Sequence, residues 1–164
     1  MTQSLKNAAE NAVFALKQKN ITVATAESCT GGLLSTLITS VSGASSVFPL
    51  GICSYAAEAK INILGVNAET IEKYGTVSEF TAEEMAKRIR ILGNTDIGLS
   101  VTGVAGPSPT EGKPVGLVYI ALSSKENTNV KQLNIENLGR DFIRNTTALE
   151  VFNLLINHLN SEEI

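Results

Sequence analysis

A short stretch at residues 26–32, AESCTGG, places a carboxylate, two hydroxyls, a thiol and two glycines together. It follows the β-branched run ITVAT at 21–25 and leads into an apolar helical pattern at 31–41. Such a strand-to-helix turn can present a nucleophile, bind an anion at a helix start or cap the helix through Ser28 or Thr30. Neither GxxxxGK[ST] nor GxGxxG is present, so a nucleotide phosphate loop is not indicated. Spacing alone leaves the nucleophile and the cap open.

A serine nucleophile needs a base, and the residues offer two kinds. The single histidine, His158, lies in the last helical pattern, and we expect it at the protein surface rather than in a Ser-His-Asp triad. A lysine that is desolvated in a cleft can be neutral and act as base, and Lys60 could serve Ser28 in this way, although a solvated lysine is the default. Cys29 is the competing nucleophile, but without a histidine partner we expect a small buried residue beside the turn.

Two further polar segments follow predicted strands. The strand in 47–55 leads to Tyr55 and Lys60, and the strand over 96–103 runs into the glycine- and proline-rich loop 102–116. Because such strand ends face the ligand crevice of an open α/β sheet, both segments and the 26–32 turn are expected to form one site.

Cations near this expected site have two interpretations each. Lys113 in the loop is either a ligand contact or a solvated side chain. Arg140 and Arg144, in LGRDFIR, suit a phosphate or carboxylate through paired hydrogen bonds, but an ion pair with a glutamate explains them equally simply.

The elements that must position these residues alternate between the hydrophobic spacing of a helix and that of a strand. Helices are predicted at 5–16 with a stop at Asn20, at 31–41, from Asn67 to Tyr74, at 81–94 with a Thr81–Glu84 capping box, and at 141–159. Strands are predicted at 21–25, in 47–55, at 96–103, at 115–124, which reads as buried on both faces, and at 130–138, which reads as an edge strand. This alternation predicts an α/β sheet with helices on both faces and one domain over residues 1–164.

The composition excludes several classes of function. The chain has 164 residues, 43% of them hydrophobic and 18% charged, and a formal net charge of −3. Its longest basic run is KRIR, so no nucleic-acid partner is expected. One histidine, two cysteines and no HExxH motif argue against a metal site. The absence of a signal peptide and of a membrane-spanning apolar run predicts a cytoplasmic protein with no membrane partner.

Five segments, taken together, resemble the C-terminal domain of competence/damage-inducible protein CinA, a family that includes the nicotinamide-nucleotide amidases. They are TAESCTGGLLSTLIT, SYAAEAKINILGV, GTVSEFTAEEMA, SVTGVAGPSPTEGKPVGLVY and LGRDFIR. The resemblance covers about residues 5 to 159 and is that of a stand-alone member. It departs from the usual pattern at Ala56, Ala57, Ser108 and Pro109, and in LGR where GDR is common.

The resemblance implies a three-layer α/β/α sandwich with a mixed sheet, and a reaction without metal or organic cofactor. The implied reaction is hydrolysis of the carboxamide of nicotinamide mononucleotide to nicotinate mononucleotide and ammonia. The implied partners are this small-molecule nucleotide and further copies of the chain, as a dimer or higher homo-oligomer. The alternative hypothesis is a non-catalytic nucleotide-binding or regulatory module linked to competence or DNA damage.

The resemblance also assigns roles to individual residues. Ser28 matches the nucleophile and Lys60 the base, while Tyr55, Thr102 and Arg140 match residues that assist the chemistry or hold substrate. Backbone amides of residues 29–31 or the Thr102 hydroxyl would bind the oxyanion. The expected substrate-binding set is Glu27, Cys29, Thr30, Gly31, Gly32, Gly103, Gly106 and Lys113.

Overall fold

Five strands form one mixed sheet in the computed structural model, which describes residues 2–161. The strands are β1 (Val23–Glu27), β2 (Leu50–Cys53), β3 (Ile97–Gly103), β4 (Leu117–Ser123) and β5 (Thr128–Asn134), in the order β2-β1-β3-β4-β5. β1 is parallel to β2 and β3, whereas β4 pairs antiparallel with β3 and β5. The carboxyl ends of β1, β2 and β3 therefore meet at one edge of the sheet. The mixed sheet and the edge position of the fifth strand are confirmed.

Helices cover both faces of this sheet, which confirms the three-layer architecture. They are α1 (Gln3–Lys19), α2 (Leu33–Thr39), α3 (Ala57–Ala59), α4 (Ala68–Tyr74), α5 (Glu79–Gly93) and α6 (Arg140–Ser161), and α3 continues as a π-helical turn, Lys60–Leu64. α1, α2 and α6 share one hydrophobic core on one face, and α5 packs on the other. No helix in residues 2–161 combines the length and the apolar character needed to cross a membrane.

Small side chains let α5 lie close to the sheet. Ala24 and Ala26 of β1 face α5, and a Cβ on Gly98 of β3 would clash with the backbone oxygen of Ala86. Ser100, the next β3 residue on that face, donates a 2.6 Å hydrogen bond to the backbone oxygen of Ala82. The position of α5 is therefore fixed by close backbone contact.

The predicted start of α5 is wrong. α5 is capped by Ser78, whose hydroxyl accepts from the Thr81 amide at 3.1 Å, so the Thr81–Glu84 capping box is absent. Glu84 instead accepts from the Asn67 amide and the Thr70 hydroxyl at the start of α4. Glu84 therefore bonds residues that lie 14 and 17 positions away in the sequence, and not the nearby Thr81 of the predicted capping box.

The start of α2 is capped by Glu27 and not by Ser28 or Thr30. Gly32 occupies the N-cap position, with φ +88° and no side-chain cap. The fully buried Glu27 carboxylate accepts from the Leu34 amide at 3.0 Å and from the Ser35 amide and hydroxyl at 2.9 and 2.8 Å. The end of β1 thus supplies the acceptors that a helix start requires.

We expect Glu27→Ala to lower the free energy of unfolding by roughly 2–4 kcal/mol, because it leaves backbone amides at the α2 start without acceptors. Chemical denaturation measures this change. Glu10→Ala, which removes an exposed carboxylate from α1, serves as the control and should stay within about 0.5 kcal/mol of wild type. Equal stability of the two variants would contradict the capping role.

Candidate active site

A cleft of about 220 Å³ lies at the edge where β1, β2 and β3 end. Ser28 and Cys29 from the turn after β1 form its floor, with Tyr55 and Arg140 beside them. Thr76 and Val77 line it from one direction, and the loop after β3 lines it from another through residues 103–106, Ser108 and Thr110. The three polar segments predicted to form one site therefore do come together.

The central contact of the cleft joins Lys60 to Ser28. Lys60 is the first residue of the π-helical turn, and none of its surface is exposed. Its Nζ lies 3.0 Å from Ser28 Oγ, 2.6 Å from the backbone oxygen of Ser54 and 3.3 Å from that of Tyr55. Two of these partners are carbonyls, which only accept, so the third direction of the amine is left for Ser28.

The surroundings of Lys60 favour its neutral form. Burial is the main cause that lowers the pKa of Lys60 from its ordinary value of 10.5. No ion pair found among residues 2–161 includes Lys60. A neutral amine has two hydrogens for the carbonyls of Ser54 and Tyr55 and one lone pair for the Ser28 hydroxyl. The pair can therefore transfer a proton from Ser28 to Lys60.

Of the three amides at residues 29–31 that were expected to bind an oxyanion, two make no backbone hydrogen bond within residues 2–161. Gly31, at φ +60°, donates its own amide to the Ser28 oxygen at 3.0 Å. The amides of Cys29 and Thr30 make no backbone hydrogen bond in the described part of the chain. Of the three expected donors, these two N–H groups therefore have no backbone acceptor. The Gly31 amide, also expected in that role, is already used.

Thr102 does not offer its hydroxyl to the cleft. The residue is fully buried in β3, and its Oγ1 donates to the backbone oxygen of Thr76 at 2.6 Å. The expectation that this hydroxyl donates to an oxyanion is not supported, because its only hydrogen is already engaged. Thr102 instead ties β3 to the segment 74–77.

Arg140, the first residue of α6, closes one side of the cleft. Its Nη1 donates to the Gly106 oxygen at 2.6 Å, and its Nη2 donates to the Tyr55 hydroxyl at 3.0 Å. Tyr55 is 61% exposed. Arg140 and Tyr55 thus bridge the ends of β2 and of the loop after β3.

Arg144, one turn further along α6, contacts the turn that follows β1. Its Nε and Nη2 donate to the Thr30 oxygen at 3.2 and 2.8 Å, and Nη1 lies 3.4 Å from Asp141. The ion pair expected as one alternative exists, with an aspartate rather than a glutamate.

Seven predicted site residues lie outside the cleft lining: Lys60, Thr102 and Gly31, described above, and Glu27, Thr30, Gly32 and Lys113. The Glu27 carboxylate caps α2, and the Thr30 hydroxyl is buried with no partner within residues 2–161. Gly32 belongs to the turn, where its positive φ is its evident role. Lys113 donates to the Tyr74 oxygen at 2.9 Å and to Glu111 at 3.3 Å, so it anchors the loop.

The alternative nucleophile, Cys29, and the alternative base, His158, are both unsuited to those roles. Cys29 lies in the cleft floor, but burial raises its pKa to about 12, so its thiol stays protonated near neutral pH. His158 lines a separate cavity of about 420 Å³ at the opposite end of the sheet, with Ile21 and Ile97. Within residues 2–161, no three His, Cys, Asp or Glu side chains are grouped to hold a metal.

Glu111 is the residue that sequence reasoning missed. Its carboxylate accepts from the Thr76 amide and hydroxyl at 3.2 and 2.6 Å. In the sequence it appears only as one acidic residue in a loop rich in glycine and proline, and no local signal distinguishes it from a solvated side chain.

The chain also resembles known proteins along its length. The family model described as the CinA C-terminal domain matches residues 5–159. A relative from Acetivibrio thermocellus, named as a competence-damage inducible protein, is 54% identical over 141 residues, which are 85% of this chain and 34% of the relative. A CinA-like protein from Kosmotoga olearia is 50% identical over the same shares. This chain therefore spans about a third of the length of these curated relatives.

Solved structures show the same fold. The competence/damage inducible protein CihA from Agrobacterium tumefaciens is 33% identical, with a TM-score of 0.92 over 98% of each chain. A CinA superfamily protein from Klebsiella pneumoniae is 26% identical, with a TM-score of 0.93 over 96% of this chain and 98% of that one. The family match, the sequence identity and the shared fold agree, and the chain belongs to the CinA C-terminal domain family.

Proposed function

We propose that this protein hydrolyses the carboxamide of nicotinamide mononucleotide to nicotinate mononucleotide and ammonia, with Ser28 as nucleophile and Lys60 as base. One observation carries the proposal: the 3.0 Å contact between Ser28 Oγ in the cleft and the amine of the fully buried Lys60. A serine beside a desolvated amine is a nucleophile with its base. The choice of substrate rests on the resemblance to a family that includes nicotinamide-nucleotide amidases.

Acylation begins when Ser28 Oγ attacks the carboxamide carbon and its proton moves to Lys60 Nζ. The negative charge that forms on the carboxamide oxygen is stabilised by the backbone amides of Cys29 and Thr30. When the tetrahedral intermediate collapses, the C–N bond breaks and Lys60 returns its proton to the departing nitrogen, which leaves as ammonia.

Deacylation repeats the same proton transfers with water. A water molecule attacks the acyl carbon, its proton moves to Lys60, and Lys60 protonates Ser28 as the ester bond breaks. The carbonyls of Ser54 and Tyr55 accept hydrogens from both forms of Lys60. They therefore orient the neutral amine and also stabilise the ammonium that exists only in the intermediates.

Arg140 is the group that we assign to the substrate phosphate. Among the described residues that line the cleft it is the one cation. Its guanidinium has five N–H donors, and Gly106 and Tyr55 each accept a hydrogen bond from it, so donors remain for a phosphate. A cleft of about 220 Å³ suits the nicotinamide end, and the ribose phosphate would extend to the rim at Arg140.

Ser28→Ala should abolish the release of ammonia from nicotinamide mononucleotide, with turnover reduced by roughly 10³-fold or more. A coupled ammonia assay on purified protein measures this loss. Ser45→Ala, an exposed serine that follows α2, is the matched control and should behave as wild type. Equal release from Ser28→Ala and wild type would exclude the serine mechanism, and no release from either would favour the regulatory-module hypothesis.

The pH dependence of kcat/KM tests Lys60. Because only the neutral amine can accept the Ser28 proton, activity should rise with pH through the pKa of Lys60. Because burial lowers that pKa, the midpoint should lie below 10.5.

Two variants give the same test without a titration. Lys60→Met should be inactive, and Lys60→Arg should be equally inactive because a guanidinium does not deprotonate in this range. Lys6→Met, on the exposed side of α1, is the control. Turnover by Lys60→Arg close to that of wild type would show that Lys60 is not the base.

Arg140→Ala should raise KM for nicotinamide mononucleotide by about 10- to 100-fold, because hydrogen bonds to a charged group are lost. Nicotinamide riboside, which lacks the phosphate, should be hydrolysed equally by the variant and wild type. Steady-state kinetics with both substrates measure this difference, and Arg88→Ala on the exposed side of α5 is the control. An equal loss with both substrates would assign Arg140 to the cleft wall and not to the phosphate.

A further inference from the structure

Two walls of the cleft come from separate parts of the chain. One wall is Thr76 and Val77, in the segment 74–77, which runs from the last residue of α4 toward the start of α5. The other is the loop 104–116 between β3 and β4, which contributes Ser108 and Thr110. The second wall has little regular structure of its own. Its tip is a turn in which Thr110 and Lys113 exchange backbone hydrogen bonds of 3.2 and 2.8 Å.

One carboxylate at that tip joins the two walls. Glu111 Oε1 accepts from the Thr76 amide at 3.2 Å and from the Thr76 hydroxyl at 2.6 Å. Its Oε2 accepts from the Val77 amide at 3.4 Å and from Lys113 Nζ at 3.3 Å. Burial alone would raise the pKa of Glu111, but the hydrogen bonds from Thr76, Lys113 and Val77 hold it below its usual value. The joining group is therefore ionised at neutral pH.

The backbone on both sides is adapted to this contact. Glu111 has φ +53°, a left-handed conformation that is unfavourable for a residue other than glycine, asparagine or aspartate. Opposite it, a Cβ on Gly75 would clash with the Glu111 carboxylate and with the Lys113 amine. Lys113 reinforces the contact by donating to the Tyr74 oxygen at 2.9 Å. An unfavourable conformation is thus maintained at the point where the carboxylate bridges the walls.

We infer that Glu111 is a positioning residue: it holds the loop 104–116 against the segment 74–77 and so sets the affinity of the cleft for its nucleotide. It does not line the cleft itself, so it acts through Thr76, Val77, Ser108 and Thr110. Ser28 follows β1 and Lys60 begins the π-helical turn, so neither is held by this contact, and the charge of Glu111 is only the weakest of the influences that raise the pKa of Lys60. Loss of Glu111 should therefore weaken substrate binding and leave the chemical step nearly unchanged. The consequence for affinity rests on the proposed function, whereas the contact between the walls does not.

The test combines amide hydrogen exchange with steady-state kinetics. In Glu111→Ala, exchange at the Thr76 and Val77 amides should accelerate by about tenfold or more, while exchange in β3 stays as in wild type. KM for nicotinamide mononucleotide should rise by about tenfold with kcat within about twofold. Glu111→Gln, which keeps one acceptor oxygen, should lie between wild type and Glu111→Ala. It also decides the question if the alanine variant does not fold.

Glu126→Ala is the matched control. Its carboxylate also accepts from a hydroxyl, that of Ser124, but in the turn between β4 and β5. Exchange at Thr76 and Val77 and both kinetic constants should match wild type. Unchanged exchange at these two amides in Glu111→Ala, or an unchanged KM, overturns the inference. Wild-type protein that releases no ammonia would instead refute the proposed function, and the exchange result would still decide whether Glu111 joins the walls.

Discussion

The burial of one lysine amine is the constraint on which the rest of the site depends. Nζ of Lys60 needs hydrogen-bond acceptors, but a carboxylate acceptor would hold it in the ammonium form. Two backbone carbonyls at the end of β2 satisfy it without adding charge. The acidic neighbour of Ser28 in the sequence, Glu27, points away because successive strand residues face opposite sides of a sheet. Its carboxylate is used at the start of α2. Strand alternation thus separates a structural carboxylate from the buried amine of Lys60.

The same edge of the sheet depends on how closely α5 approaches. Glycine, serine and alanine on that face of β1 and β3 allow backbone contact, most clearly at Gly98. Because Val77 directly precedes Ser78, the cap of α5, the depth of the helix on the sheet determines where the segment 74–77 lies. Thr102 and Glu111 then attach to that segment from two directions. A packing feature of the core therefore places one wall of the cleft.

The sequence predicted the helices and strands better than the side-chain contacts that join them. Hydrophobic periods identified the sheet, its edge strand and the change from strand to helix before Lys60. The predictions that failed concern residues whose hydrogen-bond partners are distant in the sequence. Glu27 caps a helix whose amides lie seven and eight residues onward, and Glu84 accepts from residues at the start of the preceding helix, which Asn67 caps as predicted. Glu111 meets Thr76 across 35 residues. A local pattern can show that a helix begins, but several side chains near a start compete for the cap, and only the fold decides which of them reaches it.

The basic side chains at this edge of the sheet differ in how deeply they are buried, and this difference separates the roles that they can have. Each of four basic side chains donates to a backbone carbonyl there: Lys60, Lys113, Arg140 and Arg144. Their hydrogen-bond partners are alike, so partners alone do not distinguish a base from an anchor. Lys60 is fully buried and can lose its proton, whereas an arginine remains charged in any protein environment. Arg140 is exposed at the cleft rim, where a permanent charge is useful for holding an anion. The same kind of contact is therefore compatible with three roles, the proposed proton transfer, the proposed substrate binding and loop attachment, according to depth and side-chain chemistry.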